Sequence, residues 1–205
     1  MKCSEERIAA ELKTLTKLIN ISKFVMLFNK PKKKPKLCLL DKLFINYMDK
    51  LTRKIDKCYD NYDFYTPAIK LRTFLWELFA SHYIEIVKAR TYNTNKIFSK
   101  NESESAKFTL HYLLERFLIL SYPIIPQITS FILYEKGIDY LKLKFPTSKK
   151  ENIDSSLIDK IVEFNSKIWK EKKYNGISLR EEIKGEVPKE LKQFEKDLKT
   201  AHNLK

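Results

Sequence analysis

Apolar residues recur at intervals of three and four along most of the first 136 residues of the chain. Because that spacing places side chains on one face of an α-helix, it predicts amphipathic helices. The first covers residues 4–28, the second about 40–60 and the third about 64–90. No glycine precedes Gly137, which also favours long helices over tight turns. Apolar residues surround much of the third helix, so we expect it to be central.

Prolines and lysines interrupt this periodicity. Residues 30–36 read KPKKKPK, which predicts an exposed loop because prolines restrict the backbone and the lysines repel one another. A polar stretch at 91–103 precedes a fourth helix at about 104–120. Pro123 and Pro126 then predict a bend before a fifth, shorter helix that ends near Gly137.

The pattern changes after Gly137. Residues 140–145 read YLKLKF, an alternation typical of a half-buried strand, and a polar turn follows at 146–150. Beyond it we expect helices at 155–173 and 188–202 with a short strand at 183–187. The predicted fold class is therefore mainly α: an antiparallel helical bundle over residues 1–137, followed by a small α+β C-terminal appendage over residues 138–205.

Charge indicates what such a fold binds. Forty Lys and Arg residues against 26 Asp and Glu leave a formal net charge of +14, while 13% aromatic residues favour a folded chain. An anionic partner is expected, and nucleic acid is favoured because basic surfaces displace counterions from phosphates. An anionic membrane surface and a general basicity unrelated to any partner are the alternatives.

Three cysteines without a CxxC spacing, Cys3, Cys38 and Cys58, predict a reducing, cytoplasmic location and no disulfide framework. The N-terminus has no apolar core of a signal peptide, and no stretch approaches the roughly 20 apolar residues of a membrane span. We therefore expect neither secretion nor membrane insertion.

Residues for catalysis are sparse. The chain lacks phosphate-binding glycine motifs, and His82, His111 and His202 show no metal-ligand spacing, so no catalytic, metal or cofactor site is predicted. Cys38 and Cys58 are interpreted as small core residues, although a Cys/His pair formed in the fold stays open. We expect the carboxylates of Glu77, Glu85 and Glu115 to form salt bridges with Lys or Arg rather than an acid/base pair.

Several ordered motifs resemble one family. Residues 62–64 read YDF, 71–79 read LRTFLWELF and 83–92 read YIEIVKARTY, similar to the class I valyl-tRNA synthetases. Residues 17–25 (KLINISKFV) and 122–129 (YPIIPQIT) match neighbouring motifs in the same order. The tail, IWK at 168–170 and GISL at 176–179, resembles the segment that follows the bundle in archaeal-type members. Tyr122 and the pair Ser130 and Phe131 depart from the pattern, and isoleucyl, leucyl and methionyl relatives share the bundle.

This resemblance implies an anticodon-binding, C-terminal bundle that carries out no aminoacylation alone, because the family's catalytic HIGH and KMSKS signatures are absent. The implied partners are a tRNA, that for valine in the first instance, and the catalytic body of the synthetase. No cofactor belongs to this chain, whereas the parent enzyme would use ATP and Mg²⁺. The alternative function is a helical protein-interaction or docking module without specific RNA readout, and an enzyme with an unrecognised site is a third.

The resemblance also implies binding residues. In the family an aromatic residue aligned with Phe24 stacks on an anticodon base, with an aliphatic residue aligned with Ile84 on its other face. Helical spacing puts Lys17 and Asn20 on the face of Phe24, where they could read base edges. One turn beyond Ile84 lies Lys88. Further basic candidates for RNA contact are Arg90, Lys50, Arg53, Lys54 and Lys57.

The alternatives for these residues are structural. Phe24 and Ile84 could be ordinary core residues. The basic residues of the second helix could form only a solvated face.

Overall fold

A computed structural model describes residues 4–148, 154 and 156–205, apart from the side chain of Arg7. Cys3, the end of the predicted turn at 149–150 and the predicted helix start at Ser155 lie outside the described residues. The helices are α1 (Glu5–Met26), α2 (Leu39–Asp60), α3 (Tyr65–Thr73), α4 (Glu85–Tyr92), α5 (Lys100–Ser121), α6 (Pro126–Glu135), α7 (Ser156–Tyr174) and α8 (Glu195–His202). The mainly α bundle is confirmed.

The predicted third helix is a single path of three segments, α3, a π-helical stretch over Phe74–Ile84, and α4. The wider π turn is visible at Ser81, whose hydroxyl donates to the carbonyl of Trp76, five residues back, at 2.7 Å. Phe74, Phe79 and Tyr83 are fully buried. The helix predicted to be central is thus packed into the core, but α5, rather than this path, contacts most of the other helices. π-Helical turns are rare and often lie at functional sites.

Helix α5 lies at the centre of the bundle, in contact with α1, α2, α3, α4 and α6. It begins at Lys100 rather than near residue 104, because Ser99 and Glu102 form a reciprocal capping box. Pro126 occupies the first turn of α6, where its missing N–H costs little. Gly137 follows α6 with φ +70°, the left-handed geometry expected of a glycine beyond a helix end.

The strand predicted at 140–145 is wrong. Tyr140–Lys142 forms a 3₁₀ turn, capped by the Asp139 carboxylate accepting from the amide of Leu141 at 3.2 Å. The side chain of Leu141 is 82% exposed. An alternating run pairs as a strand only where a partner lies alongside, and none is present among the described residues.

The strand predicted at 183–187 is also wrong, since the described residues there contain only an isolated parallel bridge between Ile183 and Leu204. A 3₁₀ turn over Lys189–Phe194 replaces the first part of the last predicted helix. The C-terminal part is therefore helical rather than α+β. Its buried residues join the core of the bundle, and the proposed boundary at residue 138 stays a prediction.

A buried polar cluster fastens α8 to the bundle. Asp41 of α2 accepts from the hydroxyl of Tyr83 at 2.6 Å, from the guanidinium of Arg90 at 2.7 Å and from the hydroxyl of Ser105. The same guanidinium lies 3.3 Å from the carboxylate of Asp197 in α8. Buried charges of this kind are stable only when paired, so the cluster fixes the relative positions of α2, α4, α5 and α8.

A second cluster links α7 to the C-terminus. The side chain of Asn165 lies 3.2 Å from Nδ1 of His82 and 2.7 Å from Nε2 of His202. The ring of Trp169 stacks on that of His82 at a centroid distance of 5.2 Å. Two histidines that are distant in sequence thus meet through one buried amide.

Candidate nucleic-acid interface

A groove of about 740 Å³ separates α1, the π-helical stretch and α4 from the C-terminal segment, residues 156–205. The lining includes the small side chains of Ala80, Ser81 and Ala89, which leave room between the helices. Its walls are formed by Lys17, Glu85, Lys88, Tyr92, Trp169, Leu179, Arg180, Thr200, Ala201 and Asn203.

Lys17 stands at the α1 wall of the groove. Its ammonium nitrogen lies 5.1 Å from the centroid of the Trp76 ring, a cation–π distance. The indole N–H of Trp76 donates to the hydroxyl of Thr14 at 3.1 Å, which orients the ring. The lysine is therefore held beside an aromatic surface while remaining partly exposed.

Lys88 stands on the α4 wall. Its ammonium donates to both oxygens of Glu85, one turn earlier, at 2.7 and 2.8 Å. The side chain of Lys88 is 43% exposed, and such exposed pairs are weak. A phosphate could therefore compete with Glu85 for this ammonium.

An aromatic cluster borders the groove beyond Lys88. Tyr92, 53% exposed, lines the groove. Its ring centroid lies 6.2 Å from that of Phe24 and 5.0 Å from that of Phe28 in edge-to-face geometry. Phe24 is partly exposed and is not itself a lining residue, but its ring lies beside that of Tyr92, which shares the groove with Lys17 and Lys88.

Two other predicted contacts are placed differently. Asn20 is exposed on α1 and lies outside the lining of the groove. Ile84 is only 6% exposed and belongs to the core, so it presents no open face to a base. Its role as the second half of a base sandwich is not supported by this placement.

Arg90 requires a correction. Its side chain is 1% exposed and is committed to the two carboxylates of the buried cluster, which removes it from contact with phosphates. Burial lowers the pKa of Arg90, but Asp41 and Asp197 outweigh this effect and raise the pKa above its ordinary value. Burial in turn raises the pKa of Asp197 to about 6, against the opposing effect of Arg90.

The basic face of α2 lies apart from the groove, none of whose lining residues comes from α2. Lys54 and Lys57 are exposed, whereas Lys50 and Arg53 are partly buried. The guanidinium of Arg53 donates to the hydroxyl of Ser148 at 3.1 Å. The partly exposed aromatic residues of the same helix, Tyr47 and Tyr59, pack on the core. The basic face therefore carries charge without an aromatic surface beside it.

Ion pairs were predicted for the three candidate acid/base residues, and two of them form such pairs in the structure. Glu85 pairs with Lys88, and Glu115 pairs with Lys30 at 2.6 Å and Lys136 at 3.5 Å. Cys38 and Cys58 are free and half-buried at the edge of the core rather than within it. The surroundings of these two carboxylates and two thiols are therefore those of structural residues.

Sequence reasoning missed several groove residues. Tyr92 could have been found from the sequence, because it lies one helical turn beyond Lys88 on the same face. Trp169 and Arg180 come from a part of the chain far from α4 in sequence, and no local pattern connects them to the groove.

In the described part of the chain, no helix is both long and apolar enough to span a membrane.

Comparison with known proteins adds independent information. Residues 41–187 match the family model described as the anticodon-binding domain of tRNA ligase. The valine–tRNA ligase of Pyrobaculum aerophilum is 33% identical over 195 residues, covering 93% of this chain and 24% of the relative. The Aeropyrum pernix enzyme is 32% identical over 210 residues, 97% of this chain and 25% of the relative.

The valine–tRNA ligase of Nanoarchaeum equitans is 32% identical over 207 residues, which cover 99% of this chain and 26% of the relative. The chain therefore spans about a quarter of the length of these relatives.

Proposed function

This chain belongs to the family of anticodon-binding domains of tRNA ligases, and from that premise we propose that it holds the anticodon loop of a tRNA in the groove between α1, α4 and the C-terminal segment. The tRNA we propose is that for valine. The observation that carries the proposal is the meeting of two cations, Lys17 and Lys88, with the aromatic edge of Tyr92 in one groove.

The chemistry suits an unpaired loop. Splayed RNA bases are bound by stacking on aromatic rings, and their backbone by cations placed alongside. Tyr92 and the adjoining ring of Phe24 supply the stacking surface, while Lys17 and Lys88 lie within the same groove for the phosphates. Lys17 stands on the α1 wall of the groove, from which a base edge can be contacted, whereas Asn20 lies one turn further along α1 and outside the lining.

Within this proposal the chain is the tRNA-holding part of a valine–tRNA ligase in the cytoplasm. ATP and Mg²⁺ belong to the catalytic part of that ligase, and this chain needs no cofactor of its own. Its contribution to the reaction is affinity and selection of the tRNA.

The test is binding of an anticodon stem-loop RNA with a valine anticodon, against the same stem-loop with an exchanged anticodon, by fluorescence anisotropy. The wild-type protein should prefer the valine anticodon. Phe24→Leu keeps the apolar contacts of the site but removes the ring, and it should lose about 1–3 kcal/mol of binding free energy, the range for one stacked base.

The matched control is Phe131→Leu, which removes an exposed ring of α6 that lies outside the groove lining. It should leave the anticodon preference unchanged. If the wild-type protein binds both stem-loops equally and with steep salt dependence, the proposal of anticodon recognition is wrong.

One observation favours a second function, docking to the catalytic body. Ile8 and Leu12 lie on one helical stripe in the first turns of α1. Their side chains are 53% and 56% exposed. An exposed apolar stripe suits a protein surface. Ile8→Ser with Leu12→Ser should weaken binding to a separately expressed catalytic part of a valine–tRNA ligase while leaving stem-loop binding unchanged, and unaltered capture would contradict docking at this stripe.

A further inference from the structure

The C-terminal segment forms a wall of the groove, and hydrogen bonds hold its backbone there at residues 179–181. We propose that Arg180 contacts an RNA phosphate from this wall, and that the buried ammonium of Lys172 positions it. The inference rests on the proposed function, because it concerns the same groove.

Lys172 of α7 is fully buried. Its ammonium donates to three carbonyl oxygens, those of Leu179 at 3.0 Å, Glu181 at 2.7 Å and His202 at 2.7 Å. A lysine ammonium has three N–H donors, so all of them are used. One buried cation thus holds the residues on both sides of Arg180 and the end of α8.

The carbonyl of Arg180 is also held. It accepts from the side-chain amide of Asn203 at 3.0 Å. Asn203 has a left-handed backbone with φ 50°, and its own carbonyl accepts from the amide of Ile183 at 3.1 Å. Three consecutive carbonyls, at residues 179–181, therefore have fixed partners, which restricts the backbone from which the Arg180 side chain extends.

The guanidinium of Arg180 is available for a ligand. Arg180 is exposed, lines the groove across from Lys17 and Lys88, and forms no ion pair with any described residue. A guanidinium on a fixed backbone suits bidentate contact with a phosphate, because less conformational freedom is lost on binding. RNA lying in the groove would then be contacted from both walls.

The experiment compares Arg180→Gln with Lys142→Gln in stem-loop binding across a KCl series. Each variant removes one positive charge, but Lys142 lies in the 3₁₀ turn at 140–142 and is outside the groove lining. Arg180→Gln should weaken binding about three- to tenfold and reduce the slope of log K against log salt by about 0.7–0.9, the contribution of one phosphate contact. Lys142→Gln should change the slope by much less.

The two failures are distinguishable. If the wild-type protein binds no stem-loop, the proposed function fails. If the wild-type protein binds but Arg180→Gln and Lys142→Gln behave alike, the groove binds RNA and the role of Arg180 is wrong.

The positioning role of Lys172 is tested by a double-variant cycle. Lys172→Met should reduce the salt slope as Arg180→Gln does, and adding Arg180→Gln to it should cause little further loss. A merely structural role would instead leave the full effect of Arg180→Gln in the Lys172→Met background and overturn the assignment.

A milder variant covers the case in which Lys172→Met does not fold. Asn203→Gly suits the left-handed backbone and removes only the amide that holds the Arg180 carbonyl. It should also shrink the effect of Arg180→Gln, and undiminished loss from Arg180→Gln in this background would contradict positioning by the fixed backbone.

Discussion

Basic residues occur in two settings in this molecule, inside the core and along its surface. Arg90 and Lys172 are almost fully buried; Arg90 is held by carboxylates distant in sequence, and Lys172 by the backbone carbonyls of residues 179, 181 and 202. Lys17, Lys88 and Lys54 are at least partly exposed, and their charges remain accessible to a ligand. A net charge of +14 therefore does not describe one binding surface, because some of the cations hold the fold together.

The two buried cations have a common consequence. Arg90 connects α2 to α8 through Asp41 and Asp197, while Lys172 connects α7 to the residues around Arg180 and to the end of α8. Arg90 therefore fastens α8 to the bundle, and Lys172 holds the parts of the C-terminal segment to one another. Since that segment supplies one wall of the groove, the interior cations shape the surface on which the exterior ones act.

The largest expected effect comes from breaking the buried setting. Arg90→Met leaves the carboxylates of Asp41 and Asp197 buried without their partner, and it should lower the free energy of unfolding by about 3–5 kcal/mol. Urea unfolding followed by circular dichroism measures this. Lys88→Met on the same helix is the matched control, and it should cost less than about 0.5 kcal/mol. Equal losses from the two variants would erase the distinction between the settings.

A pH titration should give the next largest effect. Burial lowers the pKa of His202, whose carbonyl Lys172 holds, from 6.5 to about 4. Because the folded-state pKa is depressed, the neutral ring's contribution to stability is fully present above pH 6.5 and is lost as pH falls through about 4. At about 1.4 kcal/mol per pKa unit, the loss amounts to roughly 3 kcal/mol.

The control for that titration is His202→Gln, whose amide can still donate to Asn165 but does not titrate. The difference in unfolding free energy between wild type and variant isolates His202 from Asp197. The pKa of Asp197 is raised from 3.8 to about 6, so its contribution to stability changes in the opposite direction, decreasing as pH rises between those values. A difference that stays constant from pH 7 to pH 4 would exclude His202 as the group responsible.

The smallest effect separates two exposed cations. Lys17→Gln in the groove and Lys54→Gln on α2 each remove one charge, so either could reduce the salt slope of RNA binding by up to about 0.9. Only Lys17→Gln should also reduce the preference for the valine anticodon, by less than about tenfold, because Lys17 lies beside Trp76 in the groove. Anisotropy titrations with both stem-loops measure this, and equal loss of preference from the two variants would argue against the groove as the reading surface.

The helices were predictable because their signal is local. Apolar spacing located α1, α2 and the long path from α3 to α4 to within a few residues. The start of α5 was missed by about four residues, although Ser99 and Glu102 carry a capping-box signature that is visible in sequence. The strands at 140–145 and 183–187 failed because a strand depends on a partner that alternation alone does not specify.

The candidate site was predictable only in part, for a similar reason. Lys17 and Phe24 lie within two turns of one helix, and Lys88 lies one turn from Tyr92, so helical spacing brings each pair to one face. That the two pairs face each other, with Trp169 and Arg180 across the groove, depends on contacts between distant elements. The burial of Arg90 likewise depends on Asp41 and Asp197, which lie 49 positions before it and 107 after it in the numbering.

The sequence by itself determined the helical class of this protein, its basic character and its family resemblance, because these follow from residue spacing, composition and ordered motifs along the chain. Only the tertiary structure decided which cations reach solvent and which are sealed inside, and how the C-terminal segment completes the groove. Burial is a property of all the neighbours around a side chain, and those neighbours come from parts of the chain that no local pattern joins.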